Sequence, residues 1–136
     1  MASINVQPIG DPSGEARCFL LEVEEATILL DVGCDDKFSP GLLDSIARLK
    51  NRVDVILLSH PDVQHLGALP YLMGKMGMRA QVYSTLPIKK MGHLTMYDAF
   101  ASLKAAGLAE DLPFDIEDVD TAFDSPLFKT LQYTER

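Results

Sequence analysis

The sequence predicts one α/β domain, a mixed sheet with flanking helices. Three observations carry that expectation. A short acidic break, Glu24-Glu25, separates two apolar runs at residues 18–23 and 27–30, the pattern of a hairpin. The run VDVILL at residues 53–58 is nearly continuously apolar, as in a strand covered on both sides. Beyond it, strand-like and helix-like segments alternate, and that alternation is the signature of an α/β layer. The chain has 136 residues, 47% of them apolar, enough for one domain with a real core and too few for two ordinary ones.

The elements follow in order. Ile4-Asn5-Val6 before Pro8 reads as a first strand, and Gly10-Asp11-Pro12-Ser13-Gly14 as turn chemistry. The hairpin comes next, its second strand ending at Asp31-Val32-Gly33. Ser39-Pro40 reads as a helix start, with Ser capping free amides and Pro fitting the first helical position. Leu42, Leu43, Ile46 and Leu49 then share one face. After VDVILL, the residues Leu66, Leu69, Met73 and Met76 recur at helical spacing, and Gly77 is a C-terminal stop. Gln81-Val82-Tyr83-Ser84 is a short strand. Pro87 opens a long helix carrying Met96, Ala99, Phe100 and Leu103 on one side, with Gly107 at its end. Asp115 caps a last helix with Ile116, Val119 and Phe123 inward, and residues 127–133 begin another strand.

Charge narrows the function classes. Twelve Lys+Arg against 20 Asp+Glu give a net charge of -8, a poor balance for stand-alone binding to nucleic acid, because phosphate contact needs a basic surface. Residues 110–124 hold seven acids and no Lys or Arg. They read as a solvated helix face with its loop, or as a docking surface for a basic partner. No run of 18 apolar residues is present, so no transmembrane helix is expected. MASINVQPIGDPSG lacks the cationic start and apolar block of a secretory signal, and two cysteines, Cys18 and Cys34, are too few for a disulfide scaffold or a four-cysteine zinc site. An intracellular compartment is the expectation.

Chemistry in such folds gathers at the carboxyl ends of strands. Two segments qualify, Leu29-Leu30-Asp31-Val32-Gly33 and the loop His60-Pro61-Asp62-Val63-Gln64-His65 directly after VDVILL. If the two strands are neighbours, Asp31, His60, Asp62 and His65 lie on adjacent loops. Imidazole and carboxylate suit zinc or another divalent metal, and a hydrolytic centre would use them to hold a hydroxide. The plainer reading stands beside this one: Asp31 shapes a turn through its side chain, and His65 starts a helix with no ligand role.

The segments LLDVG, LLSHPDVQHLGALPY and STLPIKKMGHLTMYD, in that order, resemble the metallo-β-lactamase/β-CASP family of RNA 3′-end processing proteins, over about residues 18–123. The resemblance implies a partial metallo-β-lactamase-like αββα fold. Residues 1–136 would be the N-terminal part of that domain, with the family fold incomplete and the β-CASP domain absent. A half-sheet of this kind is expected to expose strand edges and apolar helix faces. In active members the loop reads His-x-His-x-Asp-His, two histidines holding one zinc and the Asp-His pair the second. On this chain the first histidine matches His60 and the last His65. Asp62 stands where the second histidine would be, Gln64 stands where the aspartate would be, and Asp31 matches the upstream motif aspartate. Gln64 is neutral and a weak ligand, and Asp62 has a shorter reach than imidazole. Pro61 stiffens the loop and removes a backbone donor.

The resemblance therefore implies a vestigial motif at Asp31, His60, Asp62, Gln64 and His65, with no metal, no cofactor and no catalytic residue. The chain would be an inactive homologue of a zinc-dependent endoribonuclease, a scaffold subunit of the pre-mRNA 3′-end cleavage and polyadenylation complex in the nucleus. Its expected partners are the catalytic nuclease subunit and the other subunits of the cleavage and polyadenylation specificity factor, with pre-mRNA met through the complex and no membrane contact. Two further readings stay open: an active metal-dependent RNA hydrolase using Asp31, His60, Asp62 and His65 as unusual ligands, and a generic α/β binding module.

Overall fold

A computed structural model describes residues 3–10 and 14–132. Six strands, β1 (Ile4–Pro8), β2 (Phe19–Val23), β3 (Ala26–Leu30), β4 (Val55–Leu57), β5 (Gln81–Thr85) and β6 (Phe128–Leu131), form one sheet whose spatial order is their order in the chain. β1, β2 and β3 pair antiparallel, and β3 to β6 pair parallel. The predicted mixed sheet is therefore present. Four helices accompany it: α1 (Pro40–Ala47), α2 (Val63–Leu66), α3 (Leu86–Ala105) and α4 (Ile116–Phe123).

The hairpin closes where the acidic break is. Val23 faces Ala26, and Glu24 takes a left-handed φ of 55°, the conformation that reverses a chain in two residues. The turn expected at residues 10–14 falls partly on residues 11–13, outside the described residues.

One face of the sheet is buried. Leu20, Leu29, Ile56 and Val82 are aligned across β2 to β5 and join Leu43, Ile46, Leu66, Leu69, Leu72 and Phe123 in the core. The opposite face holds Phe19, Leu30 and Leu57 in one row and Val6, Leu21, Ile28 and Val55 in the next. That face is open: Leu57 is 38% exposed, Val6 62% and Ile4 64%. The expectation that VDVILL is covered on both sides is thus corrected, and the strand is three residues rather than six. Val53 belongs to the turn after α1, where its amide donates to the Leu49 carbonyl at 3.2 Å. Asp54 uses its carboxylate to accept from the Thr27 amide at 2.9 Å. The helix layer also leaves apolar side chains outside, with Leu86, Met91 and Leu94 exposed on α3.

The helix predicted after residue 65 is broken in two. Pro70 has no amide hydrogen, and the Ala68 amide leaves the helix to bond the Val32 carbonyl at 2.9 Å. The chain continues as a wide π-type turn over Pro70–Lys75, in which the Met76 amide reaches back to the Tyr71 carbonyl at 2.8 Å, and Gly77 ends it at φ 67°. Two further expectations need correction. Ser39 precedes α1 as predicted but caps no amide, because its hydroxyl is taken by the Asp35 carboxylate. Ile116 is 37% exposed, while Val119, Ala122 and Phe123 form the inward face of α4. The Asp115 cap is present and doubled: Asp115 accepts from the Asp118 amide at 3.2 Å and Asp118 accepts from the Asp115 amide at 3.0 Å, a reciprocal capping box.

Candidate functional site

β3 and β4 are parallel neighbours, with Leu30 beside Leu57. Their carboxyl ends therefore lie side by side, and the loops carrying Asp31 and residues 59–65 meet there. Main-chain hydrogen bonds hold the meeting. The Asp31 amide donates to Leu57 O at 2.8 Å, Val32 to His65 O at 2.8 Å, Cys34 to Val63 O at 3.0 Å and Arg17 to Gln64 O at 2.7 Å. Gly33 makes this approach possible, since a Cβ there would sit 1.7 Å from the Gln64 carbonyl oxygen.

Asp31 occupies the left-handed region at φ 64°, which aspartate tolerates better than most residues. Ser59 fixes its side chain, the Ser59 amide donating to Oδ1 at 2.8 Å and the hydroxyl to Oδ2 at 2.6 Å. A serine hydroxyl has one proton. With that proton on Asp31, the 2.8 Å contact between Ser59 Oγ and His60 Nδ1 requires the imidazole to donate. His60 thus donates from Nδ1, and Nε2 is the ring nitrogen outside this contact. The same logic applies to His65: Nδ1 lies 2.5 Å from Asp62 Oδ1, an acceptor, so Nδ1 carries hydrogen. The two imidazole rings are 4.2 Å apart, centroid to centroid, tilted by 33°. The Gln64 side-chain amide donates to Glu15 at 3.0 Å.

The five positions singled out in the sequence are thus brought to one sheet edge, but their carboxylates are engaged in pairs. Asp31 serves Ser59 and Asp62 serves His65. Two buried thiols border the loops. Burial, and then the Asp31 charge, pushes Cys18 up to about 12, and burial, followed by the Asp35 charge, does the same to Cys34.

Sequence reasoning missed Ser59 and Glu15. Ser59 had a signal, since it is the residue between the strand and His60. It also missed a second cluster, between α3 and α4. There His93 Nε2 lies 3.0 Å from Asp120 Oδ1, the Tyr97 hydroxyl donates to the same oxygen, and Asp124 stands next to them. The i, i+4 spacing of His93 with Tyr97 and of Asp120 with Asp124 is visible in the sequence; the facing of the two helices is not.

Residues 20–136 match the metallo-beta-lactamase superfamily domain. The chain belongs to that superfamily. Among curated proteins it is 46% identical over 107 residues to the Drosophila melanogaster protein named "Probable cleavage and polyadenylation specificity factor subunit 2", covering 79% of this chain and 14% of that one. It is 40% identical over 122 residues to cleavage and polyadenylation specificity factor subunit 2 of Arabidopsis thaliana, covering 89% of this chain and 16% of that protein. The chain thus spans only about a seventh of the length of these relatives. Two solved structures share the fold: the beta-lactamase-superfamily hydrolase AbOPH (TM-score 0.53, 21% identity, 88% of this chain and 44% of that one) and the dizinc quorum-quenching lactonase AidC (TM-score 0.51, 17% identity, 89% and 44%). The resemblance read from the sequence motifs and the expected metallo-β-lactamase-like α/β fold agree with these matches.

Proposed function

We propose that this chain is the N-terminal part of a metallo-β-lactamase-like domain in a non-catalytic subunit of the pre-mRNA 3′-end cleavage and polyadenylation machinery. The relatives named for that process support the assignment to it. The observation that carries the non-catalytic reading is the donor set at the sheet edge. A two-metal centre clamps attacking and leaving oxygens with imidazoles and free carboxylates. Here position 64 offers a neutral amide that donates to Glu15, position 62 offers a short carboxylate in place of an imidazole, and Asp31 is held by Ser59 through both oxygens. These residues do not fit a two-zinc centre, and no hydrolytic step is assigned to them.

In this reading the protein works by assembly in the nucleus. It pairs with the catalytic nuclease subunit and other subunits of the specificity factor. Pre-mRNA is bound through the complex, because a chain of net charge -8 offers phosphates little of its own. No helix among the described residues is long and apolar enough to cross a membrane. The test is metal analysis and an RNA-cleavage assay on the purified full-length protein. Fewer than two zinc ions at the loop and no cleavage are expected; two zinc ions held there, with cleavage, would overturn the proposal.

A second reading, a metal-dependent RNA hydrolase using Asp31, His60, Asp62 and His65, draws on the two neighbouring imidazoles, tilted by 33° and each engaged through Nδ1, so that Nε2 is the nitrogen a metal would use. It requires metal-dependent cleavage that His60→Ala abolishes.

A further inference from the structure

We propose that His93, Asp120 and Asp124 form a binding site for a divalent transition-metal cation, zinc in the first instance, between α3 and α4. Among the described residues these three make the one group of His, Cys, Asp or Glu whose ligand atoms all lie within 4.8 Å of one another. The donor set is one imidazole and two carboxylates, and the imidazole favours zinc over magnesium or calcium, which take oxygen ligands.

The site is built from both sides. His93 is not a loose surface side chain. Its ring stacks on Phe123 at 5.0 Å and 11° and on Tyr97 at 4.8 Å and 23°, which orients Nε2 toward Asp120. Asp120 is anchored in turn by the Tyr97 hydroxyl. The ring is held in place by Phe123 and Tyr97, and a cation seated between Nε2 and Asp120 would replace their 3.0 Å contact with a bond to each. The side chains remain reachable, with His93 22% and Asp120 49% exposed.

A separate observation concerns charge. Asp120 lies in the last turn of α4 and Asp124 is its C-cap residue, with no basic residue in that turn. The carbonyl end of a helix carries partial negative charge, so two carboxylates there oppose the helix dipole. At i, i+4 spacing they also repel each other. Residues 110–124 contain no Lys or Arg to offset them. On α3, Lys89 and Lys90 lie one turn before His93, but Lys89 sits over the Phe128 ring, so α4 itself supplies no positive charge where the three ligands converge, and a bound dication would supply it. The cation would also tie α3 to α4 across their contact.

The experiment is zinc titration into the metal-stripped full-length protein, followed by calorimetry and by melting temperature, with magnesium and calcium as comparison ions. Asp124→Asn is the test variant, because Asp124 is exposed and its loss leaves the core intact. His93→Gln is the second, and circular dichroism reports that each is folded. Zinc binding that raises the melting temperature, exceeds binding of magnesium or calcium, and weakens about tenfold or more in both variants is the expected result. A His60→Ala, His65→Ala double variant separates this site from the sheet-edge loop, and zinc binding at α3–α4 is expected to survive it. Zinc affinity unchanged by Asp124→Asn and His93→Gln, or lost only in the His60/His65 variant, would overturn the proposal, as would no zinc binding at all.

Discussion

Gly33 has no room for a side chain. A methyl group there would meet the Gln64 carbonyl at 1.7 Å, and that atom is main chain, so it cannot swing aside. Gly33→Ala is therefore expected to cost about 3 kcal/mol or more, the upper range for overpacking, measured as a lowered urea midpoint. The thiols give a second expectation at this scale. Cys18 and Cys34 ionise in the unfolded chain near 9.0 and in the folded protein only at about 12, burial being the main cause. A raised folded value means the unfolded state loses its protons first. Stability is then intact below pH 9.0 and falls as pH rises from there toward 12. Alkaline denaturation of a Cys18→Ala, Cys34→Ala variant should show a shallower loss over that range than the parent. At this scale the candidate residues themselves were legible, because Asp31, His60, Asp62, Gln64 and His65 sit at strand ends that apolar runs announce. Their pairing was not. Whether Asp62 faces a metal or His65 depends on a rotamer and a helix start, which spacing does not encode.

Elements were legible where their signals are local. The capping box of α4 is one case: Asp115 and Asp118 are three residues apart and need nothing else from the fold. Asp115→Ala should cost about 1 kcal/mol and lower the melting temperature by a few degrees, with little change at the sheet edge. The start of α1 shows the limit. Ser39 is a good cap by type, yet Asp35 takes its hydroxyl and also accepts its amide at 2.8 Å. Burial opposes ionisation of Asp35, but the Ser39 and Cys34 hydrogen bonds outweigh it and hold the carboxyl below its usual range. This contribution to stability is present above the ordinary carboxylate range and is lost as pH falls through the lowered value. The break at Pro70 could have been anticipated from proline's missing donor. The periodicity of Leu66, Leu69 and Met73 obscured it, because a π-type turn keeps those side chains in the core.

At the scale of the molecule, the sheet has helices on one side and an open apolar surface on the other. VDVILL looks like a doubly covered strand because Val55 and Leu57 are as apolar as Ile56; composition alone cannot say which face finds a cover. The 136-residue chain expressed by itself is expected to bind the dye ANS and to self-associate. Replacing Leu57 and Val6 with Lys should reduce both, with the far-ultraviolet circular dichroism unchanged, since neither side chain enters the core. Sedimentation of the two forms checks it: a monomeric parent without dye binding would contradict the expectation. The strand order has its own consequence. Because each strand lies beside the one made just before it, every new segment leaving the ribosome finds its neighbour already in place. The sheet can then grow from the amino end outward, without waiting for a distant partner to be synthesised.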